Sequence, residues 1–291
     1  MNAQPRQVAG TVTPQAVIEG AGVRLKRSMP LNVLDYLDPF LLLDHFGSNN
    51  PADYIQGFPM HPHRGIETVT YMLEGVVSHR DSLGNAGSIE AGDVQWMTSG
   101  RGIMHEEMPQ PRDGKMAGFQ LWVNLPARLK MTRPRYQEIP SRLIPEIRRE
   151  DGTVIRVIAG TVDNVAGPVT EIAAQPTYLD VSLPAHATFL HSIERGHAAF
   201  AYVFEGEGAF GVTDAGQGKT YSHLRLVVFD DGDAVRVVTA DQPVRFLLVS
   251  GQPLHEPIAR YGPFVMNTRQ EIEQALRDLQ NGTFVELATA R

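Results

Sequence analysis

The sequence predicts an all-β protein that ends in one short helix. Runs rich in β-branched and aromatic residues recur at 66–73, 119–123, 154–158 and 244–249. Glycine (27) and proline (20) are scattered between such runs rather than clustered, as many short strands joined by turns require. A single stretch changes period. There Ile272, Ala275, Leu276 and Leu279 form an apolar stripe at helical spacing, Thr268 stands as N-cap with Glu271 at the capping-box position, and Asn281-Gly282 closes the pattern. Short strands at this spacing read as a sandwich or barrel.

Composition excludes several classes. The chain has 291 residues, room for one large domain or two ordinary ones, and its 42% hydrophobic content is enough for proper cores. Net charge is −7 with no run of Lys or Arg, so electrostatics give no support for direct nucleic-acid binding. The absence of cysteine rules out disulfides, thiolate ligands and iron–sulfur clusters, and fits a reducing interior. No run reaches membrane-spanning length, and the first residues lack the apolar core of a signal peptide. A cytoplasmic protein that binds neither membrane nor nucleic acid is expected.

Two short histidine-bearing phrases carry the chemistry: His61-Pro62-His63 and His105-Glu106-Glu107, each among strand-like residues. Side chains two apart on a strand share a face. Each phrase thus offers two ligands to one side of a sheet, and two such strands facing one interior would supply four. Three imidazoles and a carboxylate suit Fe(II), Mn, Ni, Cu or Zn, and suit Ca or Mg poorly. Pro62 donates no ladder hydrogen bond, so its strand is expected at an edge or bulge. Glu67 shares parity with His61 and His63, whereas Glu106 is expected to point away from Glu107. His79 and Asp81 read as a hydrogen-bonded structural pair, and Trp96 and Trp122 as core. Met60, Met97, Met104 and Met108 read as packing and apolar lining.

The chain is internally doubled. Residues 71–75 (YMLEG) and 202–206 (YVFEG) repeat one strand-into-turn phrase, and Gly92-Asp93-Val94 is echoed by Gly232-Asp233-Ala234. Two barrels joined near 135–165 are expected, with domains at 1–145 and 146–291. Read as the start of the second ligand strand, Gly92 sets an offset. His61 and His63 precede Gly75 by fourteen and twelve residues, and the same offsets before Gly206 give Ser192 and Glu194. His105 and Glu107 follow Gly92 by thirteen and fifteen, and the same offsets after Gly232 give Arg245 and Leu247. The second domain is therefore expected to lack a metal, although a slipped register would bring in His191 and His197.

Residues 57–63 (GFPMHPH) with Glu67 and Gly75 resemble the first cupin motif, and 92–94 through 100–105 (GRGIMH) resemble a lengthened second one. Longer phrases at 37–44 (LDPFLLLD), 95–98 (QWMT), 105–109 (HEEMP), 121–126 (LWVNLP) and 262–268 (GPFVMNT) together resemble the pirin family, from about residue 20 to 285. The resemblance implies a bicupin: two antiparallel jelly-roll barrels, with terminal segments packing onto the opposite domain. It implies iron held by His61, His63, His105 and Glu107. In purified protein Ni, Cu, Mn, Co or Zn could take the site.

The resemblance also implies quercetin 2,3-dioxygenase activity on a flavonol-like substrate, whose ring is cleaved by O2 with loss of carbon monoxide. Glu107 would be the catalytic base, taking the proton of the substrate hydroxyl. The other activity associated with the family is an iron-dependent redox-sensing regulator that acts through a protein partner. Of the two carboxylates, Glu107 is favoured as ligand because it shares a strand with His105. Glu67 lies four residues beyond His63 and is expected to orient an imidazole from behind.

Overall fold

A computed structural model describes residues 4–110, 114–213 and 215–285. The strands pair antiparallel throughout, apart from two isolated parallel bridges, and form two cupin domains. The chain divides into two units: residues 15–31, 40–141 and 254–291, and residues 1–14, 32–39 and 142–253. Each unit is thus completed by a terminal segment from the opposite end of the sequence. No helix among the described residues is long and apolar enough to cross a membrane.

In the unit that holds the two histidine phrases, seven strands form one sheet. Their order is Arg135–Ile139, Val94–Thr98, Ile66–Glu74, Met116–Asn124, Phe40–Ser48, Val23–Met29 and Gln15–Glu19. Four more form a second sheet, in the order Phe58–His63, Ile103–Gln110, Val76–Asp81 and Ala86–Ile89. Leu25, Phe46 and Met72 of the first sheet bury against Val77 and Ile89 of the second, which fixes the sheets face to face. Gly75 turns the chain from one sheet into the other at φ +83, and a Cβ there would lie 2.6 Å from the Lys115 carbonyl oxygen. Only glycine fits that corner.

The other unit repeats this plan. Its seven-stranded path runs Val8–Val12, Arg225–Phe229, Ala198–Phe210, Val244–Gly251, Thr177–Leu183, Val154–Ala159 and Glu146–Arg148. Thr188–Ser192, Ala234–Val238, the end of Ala198–Phe210 and Lys219–Ser222 make the smaller sheet. Gly206 occupies the same corner as Gly75, with φ +67. Here the interior is filled. Phe246 meets Phe189 and Phe210 edge to face at 5.6 and 5.3 Å, and Val235 and Val237 close around them.

This topology corrects one part of the sequence reading. Gly92-Asp93-Val94 opens Val94–Thr98, not the ligand strand Ile103–Gln110. Gly232-Asp233-Ala234 opens Ala234–Val238, whose place in the smaller sheet matches Ile103–Gln110. The two glycine phrases are therefore not counterparts, and Arg245 and Leu247 lie on a strand of the larger sheet. At the matching place the second unit presents buried Val235, directly opposite His191. Among the described residues the one group of three potential metal ligands lies in the first unit.

The helix Arg269–Gln280 forms as its sequence dictates, with the full capping box between Thr268 and Glu271. Ile272 and Ala275 bury, while Leu279 at the end of the stripe stays 36% exposed. Lys130 ties the segment that precedes the helix to the turn after His63 and to the end of Met116–Asn124. Its buried Nζ donates to the carbonyls of Gly65 and Val265 at 3.0 and 2.8 Å and to Asn124 Oδ1 at 2.8 Å. Arg64 joins the helix through Asp278 at 2.7 Å and lies over the Phe284 ring at 4.5 Å.

Candidate metal centre

Strand parity aims the second phrase inward. Along Ile103–Gln110 burial alternates: Ile103, His105, Glu107 and Pro109 are buried, while Met104, Glu106 and Met108 are partly exposed. Glu106 turns outward to Arg80, 2.9 Å away. The first phrase lies on the edge strand of the four-stranded sheet, as Pro62 requires, and the register slips by one residue between His105 and Glu107. The two phrases are not on opposite walls, as facing strands would have placed them. They are hydrogen-bonded neighbours, with His105 directly across from His61.

That pairing brings three imidazoles together. Ring centroids lie 4.3 Å apart for His61 and His105, and 5.0 Å apart for each of the other two pairs. One nitrogen from each falls within 4.8 Å of the others. The His61 Nδ1–H donates to the Pro59 carbonyl at 2.9 Å, which leaves Nε2 as the free lone pair. Both ring nitrogens of His105, and Nδ1 of His63, are buried with no hydrogen-bond partner. Burial lowers all three pKa values. His63 falls to about 3 with His61 adding to the effect, and His105 falls well below its ordinary value with His63 and His61 adding. Neutral, converging imidazoles with unmatched nitrogens are what a divalent borderline metal requires.

Glu107 stands next to this group but is not part of it. Its carboxylate is buried and accepts a hydrogen bond from Thr70 Oγ1 at 3.0 Å. Burial pushes the Glu107 pKa up to about 7 against the Thr70 bond. Glu67 lies in the other sheet, opposite Thr98, whose hydroxyl donates to it at 2.8 Å. His79 reaches Asp81 at 3.5 Å and stacks on Tyr136 at 4.7 Å, while Asp81 also accepts from the backbone of Leu83 and Asn85. The expected hydrogen bond between the two is not made: both ring nitrogens of His79 are buried without a hydrogen-bond partner, and the ring lies 5.5 Å from that of His105.

A cavity of about 640 Å³ opens between the sheets, with His61, His63 and Glu107 in its lining. This falls within the range of small-molecule sites. Its walls are mainly apolar, from Leu25, Leu42, Phe46, Phe58 and Val77. Trp96 is core, but Trp122 is not. It lines the cavity, meets His63 edge to face at 5.1 Å, and carries the Arg260 guanidinium over its ring at 5.1 Å. Trp122 faces inward because it shares strand parity with Met116 and Gln120, which also line the cavity. The methionines near the ligand strands do not line it. Met97 is buried, Met60 is 42% exposed, and Met116 is the methionine at the cavity. Sequence reasoning also missed Arg27, Asp44, Thr70 and Gln120 in the lining. They come from four different strands, and no local motif joins them.

Comparison with known proteins agrees with this architecture. Residues 22–123 match the pirin family model, and residues 178–285 match the model of the pirin C-terminal cupin domain. A pirin-like protein of Caulobacter vibrioides is 45% identical over 96% of this chain and 99% of its own length. A Pseudomonas aeruginosa protein provisionally named quercetin 2,3-dioxygenase is 43% identical over 95% of this chain and 97% of its own. The crystal structure of quercetin 2,3-dioxygenase from Acinetobacter baumannii superposes with a TM-score of 0.86 at 35% identity, covering 97% of this chain and 99% of that one. With two sheets per unit, one histidine cluster and both halves matched, the chain belongs to the pirin family.

Proposed function

We propose that the chain is a dioxygenase that opens a flavonol ring with O2 at a metal held by His61, His63, His105 and Glu107. One observation carries this: three neutral imidazoles, His63 and His105 buried and His61 half-buried, converge beside a largely apolar cavity sized for a flat aromatic molecule, with His61 and His63 in its lining. The names of the Pseudomonas and Acinetobacter relatives support the same activity. Iron is the proposed ion, and the Irving–Williams order means that purified protein can carry Ni, Cu or Zn instead.

A divalent metal would supply Lewis acidity and a template on which the two reactants meet. The chain's own residues do the rest. Glu107 is the proposed acceptor of the proton of an enolic hydroxyl; in the metal-free chain burial raises its pKa to about 7. Thr70 holds that carboxylate in place from the opposite sheet. Trp122 and Leu42 cover the aromatic body and exclude water. Oxygen uptake with quercetin on the iron-loaded protein tests the reading. Turnover should need the metal and fall sharply when zinc replaces it, whereas undiminished turnover without metal would refute it. Metal-loaded protein that turns over none of several flavonols would favour a regulatory role instead.

A further inference from the structure

The cavity wall formed by the seven-stranded sheet carries a file of polar groups fixed by register. Thr70 stands opposite Gln120, Gln120 opposite Asp44, and Asp44 opposite Arg27, and all four line the cavity. Thr70 Oγ1 lies 2.9 Å from Gln120 Oε1 and 3.0 Å from Glu107. Neighbouring strands are about 4.8 Å apart, so Arg27 is roughly 14 Å from Thr70. The file therefore leads from the histidines to a second polar station three strands away.

That station is a built one. Arg27 Nε and Nη2 grip both oxygens of Asp44 at 2.8 and 2.6 Å, and Nη1 holds Glu19 at 2.6 Å. Asp44 is 4% exposed. A buried ion pair adds little stability over apolar residues of the same volume, and Leu25, Leu42 and Phe46 on the same strands also line the cavity. Packing has no need of charge at these two positions.

We propose that Arg27 and Asp44 are specificity determinants that receive the hydroxyl-bearing ring of a planar, uncharged polyphenol whose other end lies at His61, His63 and His105. The assignment rests on the flavonol reading above and extends it to the distal ring. Asp44 and Glu19 accept hydrogen bonds, and Arg27 keeps N–H groups beyond the three used here. A phenolic hydroxyl both donates and accepts, so it matches the station. A carboxylate there would meet two carboxylates with the Arg27 charge already matched, and the other guanidinium in the lining, Arg260, is engaged over the Trp122 ring and on the Leu41 carbonyl. A bare ring would displace water from charged groups and replace none of its hydrogen bonds.

Calorimetric titration of the zinc-loaded protein, in which turnover is not expected, tests this with quercetin and with its analogue lacking both hydroxyls on the pendant ring. Quercetin should bind about tenfold or more tightly, the worth of one or two hydrogen bonds to charged groups. The preference should fall to near unity in Asp44→Asn and in Arg27→Lys, judged on whichever variant still binds zinc with the parent stoichiometry. Equal binding of the two flavonols by the parent, or an unchanged preference in a variant, overturns the assignment while leaving the flavonol reading intact. If neither flavonol binds a parent protein that holds its zinc, the flavonol reading itself fails and the assignment falls with it.

Discussion

Replacing Glu107 with Gln in the metal-stripped protein should remove a pH dependence that runs against the histidines' sense. Burial holds the Glu107 carboxyl at about 7, up from an ordinary 4.5, with the Thr70 hydrogen bond opposing the shift. Between those values the folded chain keeps a proton that the unfolded chain has released. The native state binds more protons, so stability falls as pH rises through the window. At 1.36 kcal/mol per tenfold, the loss by pH 7 is about 3 kcal/mol. The histidines act in the opposite sense. His63, held near 3 by burial and by His61, is neutral in the fold while its unfolded imidazole is still charged, and its contribution rises with pH up to about 6.5. Comparing parent and variant cancels that contribution. Urea denaturation of both proteins across pH 4.5 to 7.5 should therefore show the Gln variant gaining on the parent by about 3 kcal/mol as pH rises. Parallel profiles would show that Glu107 is not a buried acid, and the proposed base would lose its physical footing.

Metal titration should separate the two carboxylates: Glu107→Ala should lose most of the affinity, whereas Glu67→Ala, which removes the partner of Thr98, should lose about ten- to a hundredfold or less. Total metal should be about one equivalent per chain, and His191→Ala and His197→Ala should leave that number unchanged in elemental analysis. Lys130→Met strands three acceptors, Gly65 O, Val265 O and Asn124 Oδ1, and at about 1–3 kcal/mol for each buried group left unbonded it should lower the thermal midpoint by many degrees. Phe246→Ala, at the centre of the filled second interior, should destabilise by about 3–5 kcal/mol in denaturant titration while metal stoichiometry stays at the parent value.

Much of the fold is written locally. The corner glycines Gly75 and Gly206 mark the passage between sheets because positive φ and a neighbouring backbone leave no room for a side chain. The capping box at Thr268 and Glu271 fixes where the helix begins. Parity along Ile103–Gln110 turns His105 and Glu107 inward and Glu106 outward. The Gly92 echo failed because two short glycine phrases of the same composition open strands in different sheets, and composition does not encode sheet order.

The ligand candidates, the strand-rich class and the C-terminal helix are legible in the sequence because each depends on residues within one turn or one pleat of each other, and the double plan because one strand-into-turn phrase recurs at 71–75 and 202–206. Only the tertiary structure decided that the two histidine phrases are adjacent strands and not opposite walls, since pairing partners are chosen by the whole sheet. It also decided that Trp122 and the Arg27–Asp44 pair face the cavity and that Glu67 lies in the other sheet. Those outcomes follow from cross-strand register between segments far apart in the chain, where hydrogen-bond pairing and burial act together and no short stretch of sequence carries the information.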